Sequence, residues 1–197
     1  GESTPESKSL RAAVRQAGDQ FSLTLQPQEG EQYRVEIEPR PFRMRELIVW
    51  FVIPYIVGVA TWGIGMWAYR LSKNVGAASA FLVFTSAASM IMAAYFDMNT
   101  TQHFVLGWAL SLPIAGGAIA QLALVFPQKM PFVKRYPGAR FLPWALVVGF
   151  AIPITRQILL PTHPWGYINT WLASYGLISL AILLFLSTLV VRVLRSD

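Results

Sequence analysis

Leu47-Ile-Val-Trp-Phe-Val-Ile-Pro-Tyr-Ile-Val-Gly-Val-Ala-Thr-Trp-Gly-Ile-Gly-Met-Trp-Ala-Tyr69 carries no charged side chain from end to end. Its length matches the roughly 20 apolar residues that a helix needs to cross a hydrocarbon core. Trp50 and Tyr55 lie near its start, Trp67 and Tyr69 at its end, where amphipathic rings favour the membrane interface. Four further stretches repeat the pattern, at about 75–96, 104–126, 141–160 and 168–194. Pro54, Pro113 and Pro153 fall inside spans. Proline is tolerated there when neighbouring groups re-satisfy the freed carbonyls, so these three are expected to kink their helices. The sequence therefore predicts an all-α membrane protein, a bundle of five transmembrane helices over residues 47–197.

The charge distribution gives this bundle a direction. Residues 1–46 hold seven basic and eight acidic side chains; residues 47–197 hold nine and two. Arg70 and Lys73 separate the first two spans, Lys129, Lys134, Arg135 and Arg140 the third and fourth, and Arg192 and Arg195 follow the fifth. On the opposite side, the segments 97–103 and 162–169 contain neither Lys nor Arg. By the positive-inside tendency the C-terminus is expected in the cytoplasm and the N-terminus outside a plasma or bacterial inner membrane. The net charge of +6 thus reads as loop charge, and no nucleic-acid partner is expected.

Ahead of the spans, residues 1–39 read as a small extracellular α+β piece. A helix is expected over about 5–17. Phe21-Ser-Leu-Thr-Leu25 and Tyr33-Arg-Val-Glu-Ile37 alternate apolar and polar residues as half-buried strands do, and a hairpin loop joins them. This piece is too small to bury a core alone. Residues 40–46 form a basic juxtamembrane link. The start at Gly1 and the end close behind the last span read as cut ends, and no signal peptide is expected.

Signatures of chemistry are missing. The chain has no cysteine, so disulfides and thiolate sites are excluded. No His-Glu-x-x-His, Gly-x-Ser-x-Gly or P-loop occurs. Ser86, Ser89 and Ser111 lie in spans, but neither His103 nor His163 shares their depth. Catalysis, a bound metal and a cofactor are not expected. Pigment ligation is disfavoured too, because both histidines fall in outer loops or at span ends. Asp97 and Arg156 both approach the outer boundary, where ionisable groups pair or line a cavity, so a pair between them is a candidate helix clasp. Gln121, at depth in the third span, is expected to hydrogen-bond across helices. Small residues (Gly58, Thr61 and Gly65, the run from Ala77 to Ala94, and Gly116-Gly117) favour close helix approach. Asn99-Thr-Thr101 matches a glycosylation sequon.

The loop Leu124-Val-Phe-Pro-Gln-Lys-Met-Pro-Phe-Val-Lys-Arg-Tyr-Pro137 resembles the Phe-Pro…Pro…Arg…Pro turn in the multi-span sensor region of bacterial signalling proteins. These are sensor histidine kinases of the competence quorum-sensing type and related cyclase or phosphatase sensors. Gly63-x-Gly65 with Trp67, and Tyr95-Phe96-Asp97, are in keeping with it. The N-terminal helix and two strands resemble the end of the extracellular PDZ-like domain of those sensors. The front of that domain and any cytoplasmic output domain are absent from the sequence. The resemblance implies a non-catalytic sensor or receptor module of a two-component system. Its extracellular peptide or small ligand would shift helix packing, and the fifth span would carry the change inward. Predicted depth and chemistry nominate Asp97, His103, Arg156, His163 and Trp165 as ligand-facing residues at the outer rim. The alternative is an accessory subunit of a respiratory or photosynthetic membrane complex. Besides the lipid bilayer, a homodimer or a larger assembly is the expected partner.

Overall fold

Proline at position 54 has no amide hydrogen to give the carbonyl four residues earlier, and its ring crowds that carbonyl. The chain answers by widening the preceding turn. In the computed structural model, Ile48–Val52 forms a π turn closed by the Ile53 amide on the Ile48 carbonyl, immediately ahead of Pro54. The structure describes residues 21–25, 33–37, 43–126, 133, 135–160 and 166–194.

Five helices are long and apolar enough to cross a membrane, as expected from the sequence. We number them α1 (Met44–Leu71), α2 (Val75–Asn99), α3 (Val105–Val125), α4 (Pro137–Leu159) and α5 (Gly166–Leu194). Three ends differ from the hydropathy reading. α1 begins earlier, with the polar turn Met44–Leu47. α2 runs on to Asn99 through a discontinuity at Ala94, where ψ reaches 0°. α4 opens with a 3-10 turn at Pro137–Phe141, before the apolar run starts.

The chain divides into two units, Gly1–Met44 and Arg45–Asp197. In the first, β1 (Phe21–Leu25) pairs antiparallel with β2 (Tyr33–Ile37), with Phe21 opposite Ile37 and Leu25 opposite Tyr33. An α+β piece is not supported by this hairpin, because the helix expected at 5–17 lies outside the described residues.

In the second unit, α3 is the centre. It packs against α2, α4 and α5, while α1 packs chiefly on α2. Within the spans, 72% of α3 is buried against 6% of α1, so one helix is core on all sides and the other is nearly all periphery. Composition explains the difference. α3 buries Ala109, Ala115, Ala118 and Ala123, whose small side chains let three neighbours approach together. A Cβ on Gly116 would lie 3.1 Å from Leu177 of α5, and one on Gly117 would strike Val147 of α4. In lipid, where apolar burial gives no driving force between helices, such close contact is what holds a bundle.

The α1–α2 seam uses the same device. A Cβ on Gly58 would sit 3.0 Å from the Ser89 carbonyl oxygen, and one on Gly65 would overlap Thr85. Gly63, between them, faces open space. Hydroxyls at depth are satisfied within their own helices: Thr61 donates to Val57 O (2.8 Å), Ser111 to Gly107 O (2.8 Å) and the fully buried Ser174 to Thr170 O (2.8 Å). Gln121 does not clasp a neighbour through its side-chain oxygen, which is buried without a hydrogen-bond partner among the described residues. The expected kinks resolve individually: Pro54 makes the π turn, Pro113 is fully buried inside α3, and Pro153 lies exposed on α4.

Candidate functional site

The π turn of α1 and the discontinuity of α2 lie against each other, and the mismatch opens a cleft of about 410 Å³. Residues four apart share a helix face, so Phe51 and Tyr55 both turn toward the opening and stack at 6.1 Å. Phe51 also meets Phe96 of α2 at 5.1 Å between ring centroids. Beside them Trp50 stacks on Tyr95 at 6.0 Å and 16°. Phe104, ahead of α3, completes an aromatic wall. Met90, Ala93 and Ala94 form the floor, and Asp97, Thr100 and Thr101 the polar edge. Irregular turns of this kind recur at functional sites because they re-aim side chains that a regular helix would hold elsewhere.

The polar edge is a folded turn built on one carboxylate. Asp97 Oδ1 accepts from the Thr101 hydroxyl and from the His103 amide (3.2 Å); Oδ2 accepts from the Phe104 amide (2.7 Å). The Asp97 carbonyl receives the Thr100 and Gln102 amides at 3.1 and 2.7 Å. Amides at the start of a helix lack intrahelical acceptors, so a side chain of α2 caps the entry to α3. The reversal is tight enough to put Gln102 in the left-handed region, φ 56°. The sequon residues are absorbed in the same turn, Asn99 donating to the Tyr95 carbonyl (2.7 Å) and Thr101 to Asp97.

Of the residues nominated from sequence, Asp97 and His103 are brought together here. The His103 ring nitrogen Nδ1 lies 3.1 Å from the Thr101 carbonyl. Arg156 is elsewhere: it is exposed on α4 and forms no ion pair with Asp97, which accepts three hydrogen bonds from local donors. The expected clasp between them is not made. His163 and Trp165 lie outside the described residues, as do Lys129, Lys134 and most of the proline-rich loop. Residues that sequence reasoning left out of the site are the aromatics Phe51, Tyr55, Phe96 and Phe104. The available signal was the Phe51–Tyr55 spacing on one face directly around Pro54.

The floor of the cleft is also the roof of the core. Ala94, Trp108, Ala109, Leu112 and Ile154 form one buried cluster, with Met90, Trp171 and Ile178 packed against it. Trp108 of α3 meets Trp171 of α5 edge-on at 5.0 Å. At the other end of the bundle, Arg192 of α5 donates to the Ala123 carbonyl (3.2 Å), one of the carbonyls that the last turn of α3 leaves without a helical partner. α3 and α5 are thus joined at both ends.

No family model, curated protein or solved structure matches this chain.

Proposed function

We propose that this chain is the membrane core of a transmembrane sensor, with the α1–α2 cleft receiving the signal and α5 passing it across. One observation carries the reading: Met90 and Ala94 belong both to the cleft and to the cluster that reaches α5 through Trp108 and Trp171. An occupant that pressed on that floor would bear on packing between α3 and α5. A ligand shifts such an equilibrium only by its differential affinity for the two arrangements, and a cleft between two helices offers that differential directly. The cationic loops are consistent with the cleft lying on the outer side of a bacterial inner membrane and Arg192 on the cytoplasmic side. The resemblance to two-component sensors supplies the class of output, a cytoplasmic domain joined to α5.

A steric surrogate tests the reading without knowledge of the ligand. Ala93→Phe fills the cleft from its floor, and a spin label at Leu194→Cys reports on the far end of α5. A changed label spectrum in lipid nanodiscs is the expected result. An unchanged spectrum, with the variant still folded, would rule out transmission from this cleft.

The alternative reading, an accessory subunit of a larger membrane complex, draws on the periphery of α1. Ile56, Ile64 and Trp67 are exposed on it, a surface that suits a neighbouring subunit as well as lipid. Native mass spectrometry of the protein from its own membrane separates the two, since only a subunit co-purifies stoichiometrically with other chains.

A further inference from the structure

We propose that the cleft selects a hydrophobic monocation, an ammonium carrying an aryl or branched alkyl body. This rests on reading the cleft as the ligand site. Its volume of about 410 Å³ falls within the roughly 300–1,000 Å³ of small-molecule sites. The wall is made of π faces, Phe51, Tyr55, Phe96 and Phe104, and aromatic faces attract ammonium groups through their quadrupoles. Among the described residues of the lining, the one charged group is Asp97.

Among the described residues, Asp97 accepts from one hydroxyl and two backbone amides, and His103 lies within electrostatic reach of it. The three donors fix its position, and none of them carries a formal charge. A carboxylate offers about four acceptor sites, so one remains for a ligand. Arg45, the cation of this unit nearest in sequence to the π turn, is not among the described lining residues. An anion would be repelled here, and a neutral tail would leave the remaining acceptor site unused. A compact cation satisfies carboxylate and rings together.

The experiment compares two probes of the same shape, phenyltrimethylammonium and the uncharged tert-butylbenzene. Binding to the full chain in phosphatidylcholine nanodiscs is followed by saturation-transfer NMR, with empty nanodiscs correcting for partition into lipid. The cation is expected to bind roughly tenfold more tightly than its isostere. Asp97→Asn should abolish that preference. Phe51→Leu, which leaves the Asp97 turn intact, should weaken the cation roughly tenfold and the isostere much less. Equal affinity for the two probes would overturn the charge selectivity while keeping the cleft as a site for apolar tails. Absence of binding by either would overturn the ligand class, and the Ala93→Phe response would then decide separately whether the cleft transmits at all.

Discussion

Asp97 and Arg156 show how a residue's surroundings overrule its charge. Both stand near the C-terminal end of a span, and opposite charges there invite pairing. The carboxylate instead accepts three hydrogen bonds from the turn that follows it, all within seven residues. Local partners are available as soon as the turn forms, whereas Arg156 would have to be brought from two helices away. Arg156→Ala is therefore expected to leave thermal stability in detergent nearly unchanged, within about 0.5 kcal/mol. Asp97→Ala, which strips the cap from α3, should cost about 1–2 kcal/mol. Circular-dichroism melts of the two variants check both figures, and a large loss from Arg156→Ala would restore the clasp. Trp108 carries a related lesson. Its indole nitrogen is buried without a hydrogen-bond partner among the described residues, and the ring packs in one cluster with Ala94, Leu112 and Ile154.

Among the elements, the spans were legible because twenty apolar residues in a row admit few readings, and the strand segments because alternation has a period of two. What the sequence did not reveal is which helix lies in the middle. α1 and α3 are similarly apolar, and the difference lies in side-chain size: Trp50, Trp62 and Trp67 on one, Ala and Gly on the other. The cleft was hidden for a further reason, since it arises from two irregularities, at Pro54 and Ala94, that come into register only when α1 and α2 pack antiparallel. That register depends on the glycine seam. Gly65→Leu drives a branched side chain into Thr85 and should separate the helices, lowering stability by about 1–3 kcal/mol. Gly63→Leu, whose added side chain meets open space, should cost far less. Parallel thermal melts measure the contrast, and equal losses would refute the seam.

At the scale of the molecule, the absence of cysteine makes orientation directly measurable. Single cysteines at Lys73 and Gln102 occupy opposite ends of α2 and its flanking turns. With a membrane-impermeant maleimide on intact spheroplasts, Gln102→Cys should label and Lys73→Cys should label only after lysis; the reverse pattern would invert the topology. The arrangement of the five helices has a consequence for how the protein is made. α1 and α2 can close on each other as soon as both have left the ribosome, for their seam needs no third helix. α3 follows them with little to cover its remaining faces, and Gly116 and Gly117 stay open until α4 and α5 arrive. A nascent chain halted after α3 would display its small-residue surface to any helix in the bilayer, so maturation of this bundle hinges on the arrival of α4 and α5.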